Sequence, residues 1–126
     1  MRKHVVIISD DLSNLETFAA LLEKDGYVVS TLCSFPSMSE LAFLRPDCFI
    51  IDEWLPEICG HAICLMLKAQ VQTKNTPVIL ISEAGDDEPL ENKCDADMIF
   101  KKPYQPYNLA QIVSLVIRNA MSIHNQ

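Results

Sequence analysis

Four short apolar runs recur along the chain, and each ends on polar residues. Val5-Val6-Ile7-Ile8 leads to Asp10-Asp11, and Cys48-Phe49-Ile50-Ile51 leads to Asp52. Val78-Ile79-Leu80-Ile81 leads to Ser82, and Met98-Ile99-Phe100 leads to Lys102-Pro103. Runs of this length with little alternation predict strands of a parallel sheet covered on both faces. Between them the period changes. Leu15, Phe18, Ala19 and Leu22 fall on one face of a helix that Asp25-Gly26 ends. Tyr27-Val28-Val29 is a short second strand. Ser37 with Glu40 three residues on opens a short helix to Leu44, and Pro56 and Gly60 punctuate the loop before a helix from about His61 to Val71. The last helix runs from about Pro106 to Met121, with Leu109, Ile112, Val113, Val116 and Ala120 toward the sheet. The weakest helix is that between Glu83 and Asp97, which holds Gly85, Pro89 and five acidic residues from 83 to 91. Strand and helix therefore alternate five times. This predicts one α/β domain over residues 1–126, with right-handed crossovers and helices on both faces of the sheet.

Composition narrows the class. Hydrophobic residues make up 49% of the 126, which supports a packed core. The net charge of −7 argues against direct nucleic-acid binding, since phosphate backbones call for a basic surface. The five cysteines are odd in number, form no C-x-x-C pair and follow no secretory signal. They predict reduced thiols, core-filling or inert, in a cytoplasmic protein. No apolar stretch is long enough for a membrane span. His4, His61 and His124 have no metal-pair spacing and read as surface or structural residues. Leu115, Ile117, Met121 and Ile123 widen the apolar stripe of the last helix, which predicts either a further contact there, a homodimer or a partner helix, or simply broad core packing.

Strand ends in an open α/β sheet face the ligand crevice. Asp10, Asp11, Asp52, Ser82 and Lys102 thus converge on one acidic pocket with one fixed cation. Adjacent carboxylates repel unless a cation lies among them, and few hard oxygen ligands completed by water suit Mg²⁺. Asp52 is placed to attack phosphorus and form an aspartyl phosphate. Lys102 and the metal would neutralise the phosphoryl oxygens, and Ser82 would donate a hydrogen bond to one of them. A dehalogenase-type phosphohydrolase fits less well, because its nucleophile belongs on the first strand. An FMN module fits less well too, because Asp10-Asp11 would repel its phosphate.

The chain resembles the receiver domain of two-component response regulators over essentially its whole length. The resemblance rests on Asp10-Asp11, Asp52 followed by Leu55-Pro56 and Gly60, Pro77 to Ser82, and Ala96-Asp97 leading to Lys102-Pro103. It implies a flavodoxin-like five-stranded sheet of order 2-1-3-4-5 flanked by five helices. It implies phosphorylation of Asp52 by a histidine kinase or histidine phosphotransfer protein. It implies direct Mg²⁺ ligation by Asp11, Asp52 and the Trp54 carbonyl, with Asp10 acting through water, and a cis Lys102-Pro103 bond. The output is binding rather than substrate turnover, so the chain is a switch and not an enzyme. Its end at Gln126 fits a stand-alone regulator and an excised receiver equally. Three departures stand out: Glu83 replaces a small residue after Ser82, Ile99 takes the place of the switch aromatic with Phe100 on the opposite face, and the segment from Ser82 to Asp97 is short. Glu83 and Ile99 favour the alternative of a pseudo-receiver that binds a partner without phosphorylation.

Overall fold

The computed structural model describes residues 2–82, 96–101 and 108–124. In chain order these form β1 (His4–Ile8), α1 (Leu12–Lys24), β2 (Val28–Leu32), α2 (Met38–Leu44), β3 (Cys48–Asp52), α3 (Gly60–Lys68), β4 (Val78–Ser82), β5 (Met98–Lys101) and α4 (Leu109–His124). The strands make one sheet of order β2-β1-β3-β4-β5, and every pairing is parallel. The predicted order and fold class are thus observed. The helix predicted beyond Glu83, together with Pro89 and Cys94, lies outside the described residues, as do Lys102 and Pro103.

Strand position explains the burial patterns. All five residues of β3 and of β4 are buried, because each strand has neighbours on both edges and helices over both faces. β2, on an edge, is buried nowhere along its length. The two-residue alternation sorts the side chains into two cores. Val5, Ile7, Ile50, Ile79 and Ile81 pack with Phe18 of α1 and Val113 of α4. Val6, Ile8, Phe49, Ile51 and Leu80 pack with Leu41 of α2 and Ile63 and Leu67 of α3. Phe100 belongs to the α1/α4 side, as the alternation along β5 requires. Ile117 is buried in that same core, as the broad-packing reading of the helix expects, whereas Leu115 and Met121 are exposed.

Local signals set the element ends. The Asp11 carboxylate accepts the Asn14 N–H at 3.2 Å and caps α1, and Gly26 leaves that helix at φ +94. Ser37 accepts the Glu40 N–H at 3.1 Å and caps α2. Arg45 closes α2 in the left-handed conformation, φ 45, which nothing in its residue type predicts. His4 has a structural role: its ring meets Ser30 Oγ at 2.8 Å, and its N–H donates to Asp47 Oδ2 at 2.8 Å. Cys48 and Cys64 are buried, and Cys33 and Cys59 are exposed. Burial, helped by Asp97 and Asp47, pushes the Cys48 thiol far up, so it stays protonated and acts as a small core residue.

Asp97 ties the start of β5 to its surroundings. Its Oδ2 accepts the Val78 N–H at 2.8 Å and the Lys68 ammonium at 2.8 Å, and its own N–H donates to the Val78 carbonyl at 2.9 Å. Lys68 also donates to the Thr76 carbonyl at 2.9 Å. Asp97→Ala strips the acceptor from a part-buried N–H and is expected to cost about 1–3 kcal/mol, a fall in Tm on the order of 5–15 °C. Asp97→Asn, which keeps one acceptor oxygen, should lose less than half of that. Thermal melts of the two variants check the difference.

Candidate functional site

The carboxyl ends of β1, β3 and β4 lie side by side at one edge of the sheet. Ile8 pairs with Ile51 and Asp52 with Ile81, so Ser9, Asp52 and Ser82 close neighbouring strands. Asp52 is 5% exposed, and Ser9 and Ser82 are fully buried. Both carboxylate oxygens of Asp52 are oriented. Oδ2 accepts the Ser9 hydroxyl at 3.0 Å, and Oδ1 accepts the Trp54 N–H at 3.2 Å. Ser9 Oγ in turn accepts the Asp11 N–H at 3.1 Å, which joins the turn after β1 to the end of β3.

The acidic pair stands further out than the sequence suggests. Asp10 and Asp11 are exposed, and Asp11 spends one carboxylate oxygen on the α1 cap. Ser9, not singled out from the sequence, is the β1-end residue that touches Asp52. Its signal was weak: a serine directly after a buried run, one position before two obvious acids. Trp54 is 59% exposed at the mouth of the site. Lys102 and Glu83 lie outside the described residues.

Glu53 was also missed. It follows Asp52 and is only 1% exposed. Its N–H donates to the Ile81 carbonyl and its carbonyl accepts the Gly60 N–H, both at 2.8 Å, which fixes the backbone. Its Oε2 accepts the Ser82 hydroxyl, and its Oε1 meets His61 Nε2 at 3.0 Å. These contacts with Ser82 and His61 offset part of the cost of burying the Glu53 carboxyl group. The loop returns so closely that a Cβ on Gly60 would lie 2.3 Å from the Asp52 carbonyl oxygen.

Among the described residues, no three His, Cys, Asp or Glu side chains stand together as a ready metal cage. A Mg²⁺ ion needs less, since it keeps several waters and takes one or two carboxylates. Asp52 at the end of β3 and the exposed Asp10 and Asp11 in the turn after β1 are carboxylates of the kind such an ion takes.

The response regulator receiver domain model matches residues 5–114. The chain belongs to the receiver domain family. Among curated relatives, this receiver is 26% identical over 94% of its length to the DNA-binding response regulator MtrA of Mycobacterium tuberculosis, of which it covers 52%. It thus spans about half the length of the curated relatives it first matches. It is 26% identical to Protein PilG of Pseudomonas aeruginosa, over 83% of the receiver and 80% of PilG. The receiver domain of a signal transduction histidine kinase from Syntrophus aciditrophicus superposes with a TM-score of 0.81 at 29% identity, covering 93% of this chain and 91% of that one. The receiver domain of the sensor histidine kinase PA1611 from Pseudomonas aeruginosa, solved with magnesium in its active-site cleft, gives 0.79 at 19% identity, covering 94% and 99%. Among the described residues of this receiver, no helix is long and apolar enough to cross a membrane.

Proposed function

We propose that this receiver accepts a phosphoryl group on Asp52 and thereby changes its affinity for a partner. The observation that carries the reading is the Asp52 carboxylate itself. It closes a central strand in a receiver-family chain, nearly buried, with its two oxygens aimed by Ser9 and by the Trp54 N–H. The donor is a phosphohistidine of a sensor kinase or phosphotransfer protein. One Asp52 oxygen bonds to phosphorus, the phosphorus–nitrogen bond breaks, and the departing imidazole leaves with the electron pair and takes up a proton. Asp52 and Asp11 with the Trp54 carbonyl would hold Mg²⁺, Asp10 acting through water, and the ion when bound offsets charge on the phosphoryl oxygens. Ser82 and Lys102 would bind those oxygens from the β4 and β5 sides.

The pseudo-receiver reading keeps one specific support. The Ser82 hydroxyl donates to Glu53. Intact-mass measurement after incubation with acetyl phosphate and Mg²⁺ separates the two. The phosphoacceptor reading expects one hydroxylamine-labile phosphoryl group per chain. It also expects Trp54 fluorescence to change with Mg²⁺ and again with beryllofluoride, since the indole borders the loop that carries the ligating carbonyl. No mass gain, together with no Mg²⁺ heat by calorimetry, selects the pseudo-receiver.

A further inference from the structure

We infer that Glu53 is a positioning residue that competes with the phosphoryl group for the Ser82 hydroxyl, and so sets how readily this receiver adopts its phosphorylated form. The inference rests on the Asp52 reading above and adds a residue and a role to it.

A serine hydroxyl has one proton to donate. In this structure that proton goes to Glu53 Oε2. The acceptor is strong and well held. Its carboxylate is buried, His61 on α3 grips the other oxygen at 3.0 Å, and backbone bonds to Ile81 and Gly60 fix the chain on which it stands. A phosphoryl group on Asp52 would offer Ser82 a second anionic acceptor. The hydroxyl cannot donate to both, so engaging the phosphoryl group means leaving Glu53 with one donor fewer. The gain at phosphorus is offset by the loss at Glu53, and the switch is biased toward the unphosphorylated form. His61 makes the bias adjustable from α3, because it keeps the carboxylate in place when Ser82 departs.

Beryllofluoride affinity in Mg²⁺, followed by Trp54 fluorescence and calorimetry, measures this competition without a kinase. Glu53→Gln keeps the shape and replaces a charged acceptor with a neutral one. It should tighten beryllofluoride binding about fivefold, the worth of one charge-assisted hydrogen bond over a neutral one. Made in a Ser82→Ala background, the same substitution should change affinity by less than about twofold. Equal tightening in both backgrounds would mean that Glu53 acts only as a nearby charge, and the inference falls while the Asp52 reading stands. No tightening in either background has the same consequence. Ser82→Ala alone gives a second reading that does not depend on how Glu53→Gln folds. Competition expects a loss under about threefold, because the hydroxyl gives up one bond to gain another. A loss above about tenfold overturns it. Wild-type protein that binds no beryllofluoride, or that binds it just as well with Asp52→Asn, brings down the Asp52 reading and the inference with it.

Discussion

Asp52→Asn is expected to take up no hydroxylamine-labile phosphate from acetyl phosphate under conditions where the wild type labels. The amide differs from the carboxylate by one atom and fits the same space. Its oxygen still accepts one of the two bonds that Ser9 and the Trp54 N–H make to Asp52. Fold should therefore survive with a loss of about 1–2 kcal/mol, the order of one weakened buried bond. Chemistry should not survive, because an amide oxygen is a poor nucleophile and forms no stable acyl phosphate. The other acids at this edge do not substitute. Asp10 and Asp11 are exposed in the turn after β1, and Glu53 is turned toward Ser82 and His61. Undiminished labelling of the variant, with the modified peptide mapped elsewhere, would sink the assignment of the phosphoacceptor.

Gly60→Ala should be the most damaging single methyl addition near the site. The new Cβ would stand 2.3 Å from the Asp52 carbonyl oxygen and 3.0 Å from both the Asp52 carbonyl carbon and the Glu53 Cα. All three are backbone atoms, so no side chain can swing aside. The Gly60 N–H is also bonded to the Glu53 carbonyl at 2.8 Å, which holds the two segments together at the point of collision. Relief requires the loop from Asp52 to Gly60 to move away from β3. We expect a loss of about 3 kcal/mol or more, above the usual range for an overpacked core. The Asp52–Trp54 bond should be disturbed as well, visible as a shifted Trp54 emission before any denaturant is added. Gly26→Ala is the matching control. Nothing lies within 4 Å of its Cβ, but its φ is +94. Only backbone strain operates there, about 1–2 kcal/mol, and the site should be unaffected. Urea unfolding of both variants tests the contrast. Equal losses would show that the close approach at Gly60 relaxes easily.

Much of this protein is legible in its sequence. Buried parallel strands carry unbroken apolar runs, so β1, β3 and β4 could be marked from Val5, Cys48 and Val78 onward. Helix caps are local chemistry, so Ser37 with Glu40 marked the start of α2. Asp10-Asp11, Asp52 with Leu55-Pro56 and Gly60, Pro77 to Ser82 and Ala96-Asp97 before Lys102-Pro103 together carried the resemblance that implied the family and its strand order. The residues that complete the site were decided by tertiary structure. Ser9 and Glu53 gain their meaning from partners 43 and 29 positions away, the Asp52 carboxylate and the Ser82 hydroxyl. No local pattern announces such a bond, and a glutamate just after a strand ordinarily belongs in solvent. Asp11 belongs with the local signals, since it caps α1 through the Asn14 N–H only three residues on. Tertiary packing decided Ile117, which the helical period places at the edge of the stripe and which is buried in the core that α4 shares with α1 and the sheet. Periodicity tells which face a residue occupies; only the packed neighbours determine how far that face is covered and which polar groups must find each other beneath it.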